Sequence, residues 1–158
     1  MKRITLLVLT ILFASIANGQ KSEEVIVFSK EKVGDIIYGY RIPSLLTTKK
    51  GTLLAFSERR VGLHDHAQND IVLKRSLDNG KNWQKMQIIA DYGSKSLNDP
   101  LAVELESGRI LLMFSMFPYG IHARSSGWIQ MADNGYDGPR NTKSYLTYSD
   151  DDGETWAD

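Results

Sequence analysis

The fold is decided by residues 40–76, YRIPSLLTTKKGTLLAFSERRVGLHDHAQNDIVLKRS, which combine short apolar runs with charged residues at their ends. We predict β-strands over Tyr40–Thr48, Thr52–Arg60 and Asp70–Ser76, because each run is rich in apolar and β-branched residues and is bounded by turn residues. The sequence between the first two strands, Lys49-Lys50-Gly51, suits a tight turn, so these strands form a hairpin. A buried strand that ends in a charged cluster is how a scaffold presents a polar site.

The strand pattern extends on both sides of this stretch. Further strands are predicted over Glu23–Ser29, Asn82–Ala90, Asp99–Leu105, Arg109–Phe117 and Lys143–Ser149. No window shows the 3.6-residue periodicity of a helix, so the sequence predicts an all-β fold of about eight short strands. The glycine-rich, polar residues 118–142 are too long for a simple connection. They either border a site or form a surface excursion between strands.

Two turns of the chain share the pattern S-x-D-x-G-x-[NT]-W and lie 73 residues apart. The Ser and Asp side chains can accept hydrogen bonds from backbone N–H groups within the turn, and Gly supplies a backbone conformation that other residues resist. The Trp then covers the turn or the neighbouring strand. We therefore predict structural turns at Ser76, Asp78, Gly80 and Trp83, and at Ser149, Asp151, Gly153 and Trp156.

These turns lack the ligand pattern of a calcium loop. An EF-hand needs oxygen ligands at alternate positions before its glycine and a Glu six residues after it. Counting back from Gly153 places Tyr148 at the first ligand position. His64 and His66 flank Asp65, but two histidines and one carboxylate make a thin metal set. We therefore expect no metal and no other cofactor.

A repeat of several strands at this spacing indicates a β-propeller, whose four-stranded blades close into a ring. Residues 20–158 account for two to two and a half blades. A blade exposes apolar faces until its neighbours cover them. We therefore expect these residues to form the N-terminal, incomplete part of a longer propeller domain.

Residues 1–19 have the pattern of a signal peptide, with a basic start, an apolar run over 4–16 and small residues before Gln20. The run is shorter than the ~20 residues that a spanning helix needs, which argues against a membrane anchor. We expect export to the periplasm or the exterior, and no stable membrane insertion after cleavage. Balanced charge, with 19 basic and 19 acidic residues, gives no indication of nucleic-acid binding, and the absence of cysteine excludes disulfides.

The two repeated turns resemble the Asp-box of sialidases, and Tyr40-Arg41-Ile42-Pro43 resembles the Y/F-R-I-P motif of that family. Further along, an acidic residue stands two positions before an arginine, and an aspartate follows five positions later, as in the family. Over residues 25–158 the chain is therefore similar to secreted bacterial exo-α-sialidases. The resemblance implies a six-bladed β-propeller and the hydrolysis, with retention, of terminal α-linked sialic acids on glycans, glycoproteins or glycolipids.

The resemblance also implies roles for individual residues. Asp65 matches the aspartate that acts as acid and base, and Arg41 matches the first of three arginines that bind the sialic acid carboxylate. Arg60 matches the arginine that lines the pocket near this aspartate, and Asp99 matches a residue of the pocket wall. The other two arginines, the tyrosine nucleophile and its glutamate partner come from later blades in the family. We therefore expect no turnover by residues 20–158 alone.

The residue types themselves suit this chemistry. A planar guanidinium binds a carboxylate through two parallel hydrogen bonds, which favours Arg41 over a lysine. Glu58 and Arg60 are two residues apart on a predicted strand and share a face, so we predict that Glu58 supports Arg60 rather than Arg59.

Asp65 needs a raised pKa to act as a general acid, and its apolar neighbours Leu63 and Ala67 are candidates to supply poor solvation. Asp70 begins a strand and is expected to accept a loop-closing hydrogen bond. The alternative to an enzyme is a non-catalytic Asp-box propeller that binds glycans or proteins. A pure binder has no need of a carboxylic acid on a loop, so Asp65 favours the enzyme.

Overall fold

A computed structural model describes residues 24–62, 64–122 and 124–157 of the chain, and every regular element in them is a β-strand. The predicted signal peptide at residues 1–19 lies outside the described residues. Within the described part, no helix is long and apolar enough to cross a membrane. The strands are β1 (Glu31–Val33), β2 (Ile36–Thr47), β3 (Leu53–Val61), β4 (Asn69–Ser76), β5 (Gln87–Ala90), β6 (Ser96–Glu104), β7 (Ile110–Phe117), β8 (Ile121–His122), β9 (Gln130–Met131) and β10 (Lys143–Ser149).

The strands form two successive antiparallel units. The first unit contains β2, β3, β4 and β5, which pair in sequence order, with β1 added at the edge of β2. The second unit contains β6, β7 and β10. A single parallel pair, between Asn69 of β4 and Ser96 of β6, joins the two units in one sheet path. The hairpin predicted from the Lys49-Lys50-Gly51 turn is the β2–β3 pair.

One apolar core spans both units. The first unit contributes Leu54, Phe56, Ile71 and Leu73, and the second contributes Leu97, Ile110, Leu112, Phe114 and Met116, all buried. The Trp156 ring packs edge-on against Phe56 with 5.7 Å between ring centroids. Burying such side chains stabilises the fold by about 1.5–3 kcal/mol each. The units are therefore packed together by their own side chains, which fixes the positions of the loops at their ends.

The predicted strand at Glu23–Ser29 is wrong for its described residues, since 24–29 contain no strand. This segment is held by side chains instead: Phe28 stacks on Tyr40 at 5.1 Å, and the carbonyl of Val27 accepts a hydrogen bond from Lys74 Nζ at 2.8 Å. The predicted strand at Asn82–Ala90 is right only from Gln87 onward. Neither β1 nor the short parallel pair β8–β9 within residues 118–142 was predicted.

A matching irregularity interrupts the first strand of each unit. The register between β2 and β3 shifts between Arg41 and Ser44, and that between β6 and β7 shifts between Asn98 and Leu101. At each shift the residue before a proline has a positive φ, 51° at Ile42 and 57° at Asp99. This conformation is rare for such residues and carries strain of about 1–3 kcal/mol. Such bulges change the direction of side chains at the rim of a sheet, and here they turn both strands toward one cleft.

Candidate active site

The two bulges open onto a cleft of about 180 Å³ between the units. It contains all five residues that the sequence singled out for chemistry, and four more. Its lining consists of Arg41, Ile42, Glu58, Arg60, Asp65, Asn98, Asp99, Phe117 and His122. Strand ends supply most of these side chains, so their positions are fixed by backbone pairing rather than by a mobile loop.

Asp65 is the centre of the charged cluster. Its Oδ1 atom accepts hydrogen bonds from Arg60 Nη1 at 2.5 Å and from Arg41 Nη1 at 3.3 Å. The loop that carries it is tied to the second unit, because the Ser96 hydroxyl donates to the Asp65 carbonyl at 2.8 Å. The Arg41 and Asp65 side chains, which are 24 residues apart in sequence, are 47% and 56% exposed at the mouth of the cleft.

The environment of Asp65 differs from the one expected from sequence. The hydrogen bond from Arg60 lowers the pKa of Asp65, and the positive charges of Arg60 and Arg41 add to this effect, against a smaller opposing contribution from burial. The sequence-based expectation of a raised pKa is therefore wrong for this state. The reason is that two guanidinium groups, rather than apolar neighbours, are the groups that contact the carboxylate.

Glu58 and Arg60 form a buried ion pair on β3, with side chains 0% and 2% exposed. Arg60 Nε donates to Glu58 Oε2 at 2.6 Å, and a second contact joins Nη2 to the same oxygen. Burial raises the pKa of Glu58, which its hydrogen bonds and the Arg60 charge partly oppose. The other carboxylate oxygen, Oε1, accepts the backbone N–H of Asp99 at 2.8 Å. Glu58 is thus paired with Arg60, as the strand alternation predicts.

Arg59 lies on the opposite face of the same strand. Its Nε donates to Glu31 at 2.9 Å, its Nη1 donates to Asp70 at 3.3 Å, and its guanidinium lies 3.6 Å from the centroid of the Tyr38 ring. Burial raises the pKa of Asp70 to about 6. Asp70 is absent from the lining of the cleft and accepts from Arg59, which agrees with the role expected for it as a hydrogen-bond acceptor.

The sequence missed four residues of the lining: Ile42, Asn98, Phe117 and His122. His122 stacks on Phe117 at 5.2 Å and contacts the ring of His66 at 4.5 Å, so residues 118–142 border the cleft at their start. Burial lowers the pKa of His66, and the neighbouring His122 lowers it further. In the described ranges, no group of three or more His, Asp or Glu side chains is placed to hold a metal.

The two repeated turns lie away from the cleft and have the same hydrogen bonds. Ser76 Oγ accepts the N–H of Gly80 at 2.9 Å, and Ser149 Oγ accepts the N–H of Gly153 at 2.9 Å. In each turn the Asp accepts the N–H of the residue four positions on, Asn82 or Thr155, at 2.8 Å. None of the residues predicted for these turns lines the cleft, consistent with the structural role expected of them.

The second turn also docks on the first unit. Thr52 Oγ1 donates to Asp152 Oδ2 at 2.6 Å, and Arg75 Nε donates to the Asp152 carbonyl at 3.1 Å. The backbone of Gly153 lies directly against Leu54. This turn therefore joins the two units on the side away from the bulges.

Comparison with known proteins gives a consistent result, although no family model matches the chain. A sialidase of Paraclostridium sordellii is 33% identical over 154 residues, covering 93% of this chain and 36% of that protein. A sialidase of Bacteroides fragilis is 30% identical over 131 residues, covering 75% of this chain and 23% of that protein. Among solved structures, the Hadza microbial sialidase Hz136 superposes with a TM-score of 0.62 at 30% identity, over 75% of this chain and 25% of that chain.

The all-β units and the structural likeness define the class of fold as a partial β-propeller of the sialidase type, which confirms the fold predicted from the sequence. The similarities in sequence support membership of the sialidase family. The chain spans about a quarter to a third of the length of the relatives it matches.

Proposed function

We propose that the protein containing this chain is an exo-α-sialidase that releases terminal α-linked sialic acids from glycans, glycoproteins or glycolipids with retention. The observation that carries the proposal is the convergence of Arg41, Arg60 and Asp65 at one cleft, with both guanidinium groups in contact with the same carboxylate oxygen. The signal-peptide pattern of residues 1–19 supports an exported enzyme, periplasmic or extracellular.

Arg41 is the residue proposed to bind the substrate carboxylate. Its side chain is half exposed at the mouth of the cleft and has only a long contact, 3.3 Å, with Asp65. A guanidinium can form two parallel hydrogen bonds to a carboxylate, so an incoming sialic acid has a ready partner there. Binding at this position directs the sugar toward Asp65 and the wall formed by Asp99.

Asp65 is proposed to protonate the leaving oxygen and then to activate water. In the free state Arg60 and Arg41 hold its pKa low, which disfavours the protonated form. Neutralisation of Arg41 by the substrate carboxylate removes one of these positive charges, and a bound sugar excludes water from the carboxyl group. Both changes raise the pKa of Asp65, so substrate binding itself prepares the acid.

The remaining parts of the reaction are assigned to blades beyond this chain. A tyrosine nucleophile, a glutamate beside it and two more arginines are proposed to complete the site. A phenol polarised by a carboxylate approaches an anionic substrate with less repulsion than a carboxylate nucleophile meets, which is consistent with sialidases being exceptions to the two-carboxylate scheme.

The test is the release of sialic acid by the full-length protein and its variants, with both a fluorogenic aryl sialoside and sialyllactose as substrates. We expect Asp65→Ala to lower kcat about 10²–10⁴-fold on sialyllactose, and less on the aryl sialoside, because an aryl leaving group needs little protonation. Arg41→Ala is expected to lower kcat/KM by at least 10²-fold on both substrates. An unchanged kcat/KM for Arg41→Ala would contradict the carboxylate-binding role.

The matched control is Arg109→Ala, because Arg109 also pairs with an aspartate, Asp150, through two bonds of 2.7 Å on an exposed surface outside the cleft. A second candidate function is glycan binding without hydrolysis. The low pKa of Asp65 favours it, because an ionised carboxylate is a good hydrogen-bond acceptor for sugar hydroxyls. Binding of sialyllactose by the full-length protein with no release of sialic acid would support that alternative.

The segment 118–142 is proposed to contact the leaving-group sugar. It begins at the cleft, where His122 forms part of the lining, and it exposes Tyr119 and Trp128 side by side, with 5.5 Å between ring centroids. Exposed aromatic faces beside a sugar-binding cleft suit the apolar face of a hexose.

A further inference from the structure

Glu58 connects two regions of the cleft that belong to different units. Its side chain is fully buried on β3, and each carboxylate oxygen has a separate partner. Oε2 accepts from Arg60 in the first unit at 2.6 Å, and Oε1 accepts the backbone N–H of Asp99 in the second unit at 2.8 Å. A buried carboxylate is costly unless it is paired and hydrogen-bonded, so both partners are held firmly by it.

On the first side, Glu58 shares Arg60 with Asp65. The Nε side of the guanidinium contacts Glu58, and Nη1 contacts Asp65 at 2.5 Å. Two carboxylates therefore divide one positive charge. At an effective dielectric constant of 20, unit charges 4 Å apart interact by about 4 kcal/mol, so the negative charge of Glu58 offsets a substantial part of the field that Arg60 exerts on Asp65.

On the second side, Glu58 anchors the bulge of β6. Asp99 has a φ of 57°, and its side chain lies exposed on the cleft wall. A residue in this sparsely populated conformation persists only when its surroundings over-determine it. The bond from its N–H to a buried carboxylate is one such restraint, and it fixes the position from which the Asp99 side chain projects.

We propose that Glu58 is a positioning residue that couples the two walls of the cleft, by dividing the Arg60 guanidinium with Asp65 and by holding Asp99 through its backbone amide. This inference rests on the proposed function and extends it, because one buried side chain then governs both the acid–base carboxyl and the wall opposite it. Glu58 itself does not need to touch the substrate.

The first test is Glu58→Gln in the full-length protein. Glutamine keeps the shape of the side chain but removes its charge, and its amide nitrogen is unable to accept from Arg60. Asp65 then faces Arg60 undivided. We expect the basic limb of the kcat/KM pH profile to move to lower pH by about one unit. The charged and titratable groups that face Asp65 and Glu58 are Arg41, Arg60, His66, Asp99 and His122.

The second test is Glu58→Asp, which keeps the charge but is one methylene too short to reach both partners. We expect an almost unchanged pH profile and a KM raised several-fold, because the Asp99 wall loses its anchor. The matched control is Glu31→Gln, which removes a carboxylate from Arg59 on the opposite face of β3. It is expected to leave both the pH profile and KM unchanged.

A direct titration of the Asp65 carboxyl by NMR separates this proposal from the proposed function, because it needs no activity. An Asp65 pKa that falls by about one unit in Glu58→Gln supports the coupling even in a protein that cleaves no sialoside. An unshifted Asp65 titration, with Glu58→Gln and Glu31→Gln equally destabilised, would overturn it and leave Glu58 a structural residue. If Glu58→Gln fails to fold, the KM of Glu58→Asp decides, and a wild-type value would likewise overturn the proposal.

Discussion

The two units have the same backbone at the cleft but carry different chemistry. Arg41 is paired with Glu58 at the bulge of the first unit, and Asn98 is paired with Ser115 at the bulge of the second. These positions lie 57 residues apart, and the same offset relates Arg60 to Phe117 and Asp65 to His122. All of them except Ser115 line the cleft.

This difference separates what the fold requires from what the site requires. The second unit builds its bulge with an amide, a hydroxyl, an aromatic ring and an imidazole, at positions where the first unit has two guanidinium groups and two carboxylates. Charges are therefore not needed to form this backbone. A buried ion pair gives at best a small net gain in stability. The charged set of the first unit is thus best explained by ligand chemistry.

The sharpest way to break the comparison is to give the first unit the residues of the second. Arg60→Phe leaves the fully buried Glu58 carboxylate without its guanidinium, and we expect a loss of about 3–5 kcal/mol in the free energy of unfolding. Adding Glu58→Ser reproduces the Ser115 and Phe117 pair and removes the orphaned charge. The double variant should recover more than half of the loss.

Urea denaturation of the wild type, both single variants and the double variant provides the complete cycle. Strictly additive losses would show that the ion pair does not act as a unit. They would also mean that the two units tolerate charge at this position for unrelated reasons.

A second experiment compares the two repeated turns. Gly80 and Gly153 have nearly equal φ values, 84° and 81°, so an alanine costs each about 1–2 kcal/mol from its backbone alone. Their surroundings differ: a Cβ on Gly153 would lie 3.1 Å from Leu54, whereas one on Gly80 would lie 3.4 Å from Leu53. We expect Gly153→Ala to destabilise the protein by about 1 kcal/mol more than Gly80→Ala.

Thermal and urea denaturation of the two alanine variants provide the measurement. Equal losses would indicate that both turns act only through their own backbone. A larger loss for Gly153→Ala would support the docking of the second turn on the core of the first unit.

The same comparison explains how much of the molecule was predictable from sequence. β2, β3, β7 and β10 were found because their residues alternate and end at turns, which is a local signal. Residues 24–29 resemble a strand locally but are held by side-chain contacts with Tyr40 and Lys74, which no local pattern reports. β8 and β9 are two residues each and exist through tertiary pairing.

The site divides in a similar way. Unusual charges at strand ends pointed to Arg41, Glu58, Arg60 and Asp65, whereas Phe117 and His122 are ordinary residues of a hydrophobic strand and a polar loop. Only the 57-residue offset between the units identifies them, and the bulges that set this offset are not visible in the sequence. The low pKa of Asp65 was missed because one of the two arginines responsible is 24 residues away, on another strand.

The connections between the second and third strands differ most between the units. The first unit uses residues 62–68, which carry Asp65, and the second uses residues 118–142 at the equivalent place. The Trp128 ring lies on the backbone of Gly120, where an added Cβ would come within 2.9 Å of it. The Tyr119 and Trp128 side chains are nevertheless 59% and 57% exposed, so the inserted segment presents a fixed aromatic surface at the rim of the cleft.

The smallest predicted effect concerns this surface. If it supports the leaving-group sugar, Trp128→Ala should raise KM for sialyllactose less than tenfold, or about 1 kcal/mol, because a partly exposed ring contact contributes no more than that. The value of kcat should stay unchanged, and a sialoside with a methyl leaving group should be insensitive to the substitution. Tyr136→Ala is the matched control, since its ring is 94% exposed in the same segment. Equal changes with both substrates would place Trp128 outside the leaving-group site, and the longer connection of the second unit would then differ from the first in length alone.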